Sequence, residues 1–373
     1  MNKISLTLVL CHFFFLSTAR QKQVIPLDLS TNRPIVEVKI NGQGPYTFIF
    51  DTGSSTNVID NQLAETLGLK VVGEDPLRSQ GSSTLVSKRY EASDISITGA
   101  GFSKKGTLNG IALRSMLPVD GIIGGPFASD YLVTLDYPGS RLVLEKAELN
   151  KNDAGVTEFL QKPRVINLHI AVNGLAVETH LDTGNPGGFS LPYALKDQLT
   201  YKEEPVEDGE IRTPVATYKK WRAQLAGEIK VGEVIYKDPK INLIEGFEQA
   251  NIGYGVIMDL QTIIDRKNHL IAFKKPDSDA SGSMGDEITD YSGTYGDKLR
   301  SIFKENGDLY IQRGSSPKLK MALLEEDLYQ ITFPQPVRNE LPKVRFERNE
   351  QGKVRGMTFV YKDGREEFTK KDN

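Results

Sequence analysis

The chain has 373 residues, with 46 Lys and Arg against 49 Asp and Glu, a formal charge of −3, one Cys and four His. A balance this close to neutral, with no basic run and no interleaving of aromatic and basic residues, excludes the electrostatic footprint of a nucleic-acid binder. The single Cys11 excludes a disulfide, and the His residues lack metal-ligand spacing, so neither a metal nor another cofactor is expected.

At the N-terminus Met1-Asn2-Lys3, an apolar run over residues 4–16 and Ser17-Thr18-Ala19 follow the pattern of a secretory signal peptide over residues 1–19. The apolar run is short for a membrane span. A retained anchor or a lipoprotein signal at Cys11 is the competing reading, against which stands the bulky Leu10; cleavage near Ala19 is expected. The mature chain would then have no Cys, which for an exported protein suits a bacterial periplasm, outer envelope or extracellular space. Its length allows two or three domains.

Residues 36–40, an Asn41-Gly42 turn and residues 46–50 read as a β-hairpin that delivers Asp51-Thr52-Gly53-Ser54-Ser55. A short helical candidate follows at residues 61–68. Further on come Asp120-Gly121-Ile122-Ile123-Gly124, a strand over residues 131–136, a Pro138-Gly139 turn and a strand over residues 142–144.

The same order then recurs. Residues 166–170, an Asn173-Gly174 turn and residues 177–181 deliver Asp182-Thr183-Gly184-Asn185. A helical candidate at 192–199, Asn251-Ile252-Gly253 and a hairpin over residues 260–273 follow. The two Asp residues are 131 apart and the two Ile-Gly elements 129 apart, so the chain is internally duplicated around two carboxylates. An isolated Asp-Thr-Gly reads as a solvated turn; two copies in register do not.

These residues resemble the aspartic proteases of the retropepsin and pepsin group over residues 24–276, on Phe50-Asp51-Thr52-Gly53-Ser54-Ser55, Leu181-Asp182-Thr183-Gly184 and Asp120-Gly121-Ile122-Ile123-Gly124. The resemblance implies an all-β, two-lobed pseudo-symmetric fold with a few short helices, with lobe 1 at residues 20–150 and lobe 2 at residues 155–276. It implies one catalytic Asp from each lobe, Asp51 and Asp182. Thr52 and Thr183 would bond across the lobe interface, and Ile123-Gly124 and Ile252-Gly253 would cross behind the Asp loops. With both lobes in one chain, it also implies a monomer that is already a pseudo-dimer, and a polypeptide substrate.

The chemistry fits that pairing. Hydrolysis of a peptide without metal or covalent intermediate needs one ionised carboxylate to activate water and one carboxyl group to protonate the carbonyl. Two aspartates held together share a proton because both cannot ionise at once, and the resulting apparent pKa values belong to the pair. Gly53 and Gly184 permit close backbone approach.

Ser54 is expected to donate its hydroxyl to Asp51, which would make Asp51 the ionised member and leave the proton on Asp182. The amide of Asn185 is expected to donate to Asp182. Asn185 stands where the family has Ser, Thr or Ala, and Asn251 where the first lobe has Ile122. His180 shares a strand face with Asp182 and reads as a structural residue. The covering flap is placed at residues 77–88, around Gly81-Ser82-Ser83.

Residues 277–289 form a small, polar, acidic linker, and a different pattern follows. Turns at Asn306-Gly307, Gln351-Gly352 and Asp363-Gly364, flanked by strand-like runs, resemble the small lipocalin-like β-barrel at the C-terminus of some bacterial serine hydrolases of the β-lactamase type, here over residues 290–373. At this size a barrel is expected to be filled by its own side chains.

The leading expectation is therefore an exported aspartic endopeptidase. The alternatives are a catalytically silent peptide-binding scaffold that keeps the cleft, or a chain whose barrel binds a lipid or glycan while the lobes process a protein partner.

Overall fold

The computed structural model describes residues 22–372 except 79–83, 163–164, 214–215, 276–290, 306–307, 315, 317, 326, 333–341 and 362. The expected signal peptide, the linker, the flap tip and the Asn306-Gly307 turn lie outside the described residues. Among the described residues the molecule is mostly β, with two similar β lobes followed by an antiparallel C-terminal barrel.

Each lobe begins with an alternating strand that turns back on itself. Ile35–Ile40 buries Val36, Val38 and Ile40 and exposes Glu37 and Lys39, the period-two pattern of a strand with one dry face. It pairs with Gln43–Asp51. Val165–Val172 pairs in the same way with Leu175–Leu181. Both turns place Asn and Gly at positive φ, 50° and 77° at Asn41-Gly42 and 48° and 83° at Asn173-Gly174, as a two-residue turn between twisted strands requires.

The second strand of each hairpin then pairs in parallel with a buried short strand, Gln43–Asp51 with Gly121–Gly124 and Leu175–Leu181 with Ala250–Ile252. The lobes also carry matching short helices after the Ile-Gly elements, Gly125–Ala128 and Tyr254–Ile257, which periodicity does not announce because each is a single turn.

Asn61–Thr66 forms the expected helix, capped by Asp60, whose carboxylate accepts from the backbone N–H groups of Gln62 and Leu63. The second helical candidate is instead a 3₁₀ segment, Tyr193–Gln198. Pro192 caps it without a side-chain acceptor and none of its residues is buried, so nothing holds a longer α-helix there.

The closing hairpins do more than end their lobes. Leu132–Asp136 pairs antiparallel with Gln261–Asp265, and around that central pair lie Arg141–Glu145 and Gln23–Pro26 on one side and Leu270–Lys274 and Val156–Glu158 on the other. This six-stranded sheet joins the lobes, and one continuous apolar core runs from Ile25 to Phe273 through both of them.

In the first lobe Lys70–Arg78 and Thr84–Ile97 form a long hairpin where the flap is expected. The second lobe extends a comparable pair, Tyr201–Arg212 and Thr217–Leu225, largely into solvent.

Beyond residue 290 the described residues form eight strands in a meander from Gly293–Tyr295 to Glu366–Lys370, and a bridge between Tyr295 and Lys371 brings the two ends together. Its interior holds Tyr291, Tyr295, Ile302, Met321, Val344, Phe346 and Met357 in an apolar cluster of its own. Strands Leu319–Glu325 and Leu328–Thr332 had no turn signal in the sequence beyond a polar junction. Arg348 grips Asp327 with both Nε and Nη2, and Tyr291 donates to the same carboxylate at 2.6 Å.

Because the barrel core shares no residue with the core of the lobes, residues 20–276 are expected to fold alone. Thermal unfolding of that fragment should show one cooperative transition close to that of the lobes in the full chain. An insoluble or unstructured fragment would make the barrel part of the same folding unit as the lobes.

Candidate active site

The two Asp loops meet where the ends of Gln43–Asp51 and Leu175–Leu181 face each other at the lobe interface. Four hydrogen bonds knit them reciprocally. The backbone N–H of Thr52 donates to Thr183 Oγ1 at 2.9 Å and that of Thr183 to Thr52 Oγ1 at 3.2 Å. Each hydroxyl in turn donates to a main-chain carbonyl of the other lobe, Thr52 to Leu181 at 2.9 Å and Thr183 to Phe50 at 2.7 Å. Both Thr side chains are buried, so every one of these polar groups depends on the opposite lobe for its partner.

Glycine follows each Thr because of what lies across the interface. A Cβ on Gly53 would stand 2.7 Å from Asp182 Oδ1, and one on Gly184 would stand 2.6 Å from Asp51 Oδ2. Gly124 and Gly253 back the loops just as closely: a Cβ there would meet the Thr56 carbonyl oxygen at 2.6 Å and the Asn185 carbonyl oxygen at 2.5 Å. Ile123 and Ile252 beside them are fully buried, and Asp182 N–H donates to the Ile252 carbonyl at 3.0 Å.

The carboxylates themselves are not equivalent. Asp51 accepts only at Oδ1, from Gly53 N–H at 2.7 Å and Gly184 N–H at 3.3 Å. Asp182 accepts at both oxygens, from Asn185 N–H on Oδ1 at 3.1 Å and from Asn251 Nδ2 on Oδ2 at 2.9 Å. Burial and the adjacent Asp182 carboxylate push Asp51 up to about 8, against the pull of the Gly53 and Gly184 N–H groups.

Two carboxyl groups buried this close share one proton between them, and Asp51 Oδ2 is free of backbone donors. The side-chain donors differ from those expected from the sequence.

The reason lies in two side chains. Ser54 does not donate to Asp51; its hydroxyl turns to the Thr56 carbonyl at 2.7 Å. Nor does the amide of Asn185 donate to Asp182. Its Nδ2 donates to Asn251 Oδ1 at 2.7 Å, its Oδ1 accepts from Gly187 N–H at 2.8 Å, and only its backbone N–H reaches the carboxylate. Asn251, visible in the sequence only as a polar residue where the first lobe has Ile122, is the side chain that bonds Asp182.

Three further residues surround the pair. His180 is buried, with Nδ1 3.0 Å from Asn167 Oδ1, and Nε2 lies 2.9 Å from where a Cβ on Gly53 would be; burial holds its pKa down. Asn167 sends its Nδ2 to Glu178 and Gln249 at 2.9 Å each, so its oxygen faces the histidine. Tyr137 is buried in edge-to-face contact with Tyr254, and burial raises its pKa. Arg33, in the loop entering the first strand, donates Nε to the Gly184 carbonyl at 2.8 Å. Periodicity and motif spacing give no sign of Arg33 or Tyr137.

Among the described residues no group of three or more His, Cys, Asp or Glu is gathered as candidate metal ligands, and no helix is long and apolar enough to cross a membrane.

No curated protein matches the chain. Residues 36–127 match the profile of the family described as Aspartyl protease, a stretch that holds Asp51-Thr52-Gly53 and Ile123-Gly124 and ends before the second Asp-Thr-Gly.

Proposed function

We propose that the chain is an exported aspartic endopeptidase of the retropepsin-like kind that hydrolyses polypeptide with a water held between Asp51 and Asp182. The observation that carries the reading is the pair itself: two carboxyl groups locked together by Thr52 and Thr183, each accepting two hydrogen bonds, with the pKa of Asp51 raised by burial and by Asp182 beside it. Export is supported by residues 1–19 alone. Because each lobe supplies one member, a single chain completes the site.

In this reading Asp182 takes a proton from the water as its oxygen bonds to the peptide carbonyl carbon, and Asp51 gives its proton to the carbonyl oxygen. The product is a neutral gem-diol, with Asp182 protonated and Asp51 ionised. Asp51 then removes a proton from one hydroxyl while Asp182 protonates the amide nitrogen. The C–N bond breaks, and the starting protonation state returns with the products, an acid and an amine. Both transfers are general acid–base steps, worth roughly 10²–10⁴-fold each.

Digestion of a diverse peptide mixture by the full chain, read by mass spectrometry, tests the activity. New peptide termini that are absent with the Asp182→Asn chain support it; identical fragment patterns from the two chains refute it.

The role given to Asn251 is open to its own measurement. Losing its hydrogen bond to Asp182 Oδ2 disfavours the ionised form, so in Asn251→Leu the acidic limb of kcat/KM should move to higher pH by about one unit. Asn185→Ala should act in the same direction and more weakly, since its side chain reaches Asp182 only through Asn251. An unmoved acidic limb in Asn251→Leu would assign that side chain to packing.

A further inference from the structure

We propose that Arg33 is a positioning residue that holds a positive charge against the Asp51–Asp182 pair and so sets the pH range over which the pair keeps a single proton. The inference rests on the aspartic reading of the site and adds to it a group that neither Asp-Thr-Gly loop contains.

Arg33 stands between Asn32, at a φ of 56°, and Pro34, where the chain turns into the strand Ile35–Ile40. The guanidinium is half-buried, and its hydrogen bonds go to main-chain carbonyls, Nε to Gly184 at 2.8 Å and Nη1 to Thr31 at 3.4 Å. Among the described residues it forms no ion pair with a carboxylate. A cation withdrawn from water needs compensation: burial lowers the Arg33 pKa, and the carboxylates that oppose it are Asp182 and, more weakly, Asp51. The single negative charge of the pair is its counter-charge.

Its hydrogen bond also has a mechanical side. Gly184, whose carbonyl Arg33 grips, sends its own N–H to Asp51 Oδ1 at 3.3 Å. Arg33 thus crosses from lobe 1 to hold the lobe 2 residue that bonds the lobe 1 carboxylate.

The other titratable groups facing the pair do not supply this charge. His180, from the Asp182 strand, is held towards its neutral form by burial, which outweighs the pull of Asp182. Tyr137, from the sheet joining the lobes, has its pKa raised by burial and by Tyr254, and so stays neutral. Arg266, from the second closing hairpin, packs over Gly125, and its pKa, lowered to about 10, is set by burial and by neither member of the pair.

A nearby cation favours ionisation of both members of the pair, so removing it should shift both ionisation steps upward. In the full chain, with Asp carboxyls carrying ¹³C, the C=O stretch of the shared carboxylic acid is followed by infrared titration, with Asp51→Asn used to assign the band. In Arg33→Gln, which keeps a donor but loses the charge, both steps should move to higher pH by about one unit. Arg33→Lys should stay with the wild type.

A folded Arg33→Gln chain that titrates as wild type overturns the proposal. So does an Arg33→Lys chain that shifts as far as Arg33→Gln, since the effect would then belong to geometry and not to charge. The readout needs no turnover, so a chain that cleaves nothing still decides the point. A chain that cleaves peptide while its titration ignores Arg33→Gln removes this proposal and leaves the protease reading standing.

Discussion

Asp51→Asn and Asp182→Asn are each expected to lower kcat by about 10³-fold or more while the fold remains intact, because neither carboxyl group alone can both activate water and protonate the carbonyl. The two variants should differ in stability. In the folded chain the pKa of Asp51 is raised to about 8 by burial and by Asp182, so the folded state holds that proton more tightly than the unfolded state does. The stabilisation tied to the proton is complete below the ordinary Asp value of about 3.9 and is lost as pH climbs through about 8.

Asp51→Asn removes this dependence. The wild type should therefore lose stability relative to Asp51→Asn between about pH 4 and pH 8, as read from urea midpoints across that range. Parallel midpoints at all pH values would mean that Asp51 titrates as an exposed carboxylate and that the pair is not formed in solution.

The second large effect concerns the interface itself. Thr183→Val keeps the shape of the side chain and deletes the hydroxyl, which leaves the Phe50 carbonyl and the Thr52 N–H without their buried partners. At roughly 1–3 kcal/mol for each unsatisfied group, the loss should come to about 2–6 kcal/mol in chemical unfolding. Thr183→Ser, which retains the hydroxyl, should recover most of it. Cleavage should fall with Thr183→Val even where the chain is fully folded, since these bonds set the spacing of the carboxyl groups. A Val variant as stable and as active as the wild type would show that the lobes are held by the six-stranded sheet alone.

What the sequence made legible follows from what repeats. The hairpin carrying Asp51 and the one carrying Asp182 could be read because alternation and an Asn-Gly turn are local signals, present twice in register. The pairing of Leu132–Asp136 with Gln261–Asp265 was not legible, because each strand looks complete within its own hairpin and nothing local says that its free edge meets the other lobe. Of the barrel, the strands beside Gly-containing turns were visible, whereas Leu319–Glu325 and Leu328–Thr332 were not.

In the site, the Asp, Thr and Gly residues could be placed by motif. The donors to the carboxylates could not, because a hydroxyl or amide near an Asp in sequence has competing acceptors close by. Ser54 finds the Thr56 carbonyl and Asn185 finds Asn251, so neither side chain reaches the carboxylate beside it in sequence. Arg33 lies outside any motif and acts through space, so only the folded chain brings it to Gly184.

The central claim is that Asp51 and Asp182 hydrolyse peptide while sharing one proton, and the pH dependence of kcat/KM on a peptide found to be cleaved tests it most directly. The profile reports the ionisations of the free enzyme. The account predicts a bell whose basic limb falls near the value of about 8 to which burial and Asp182 raise Asp51, and cleavage lowered by about 10³-fold or more at every pH once either Asp is replaced by Asn. Activity that goes on rising beyond that limb, or that survives in the doubly substituted chain, would contradict it.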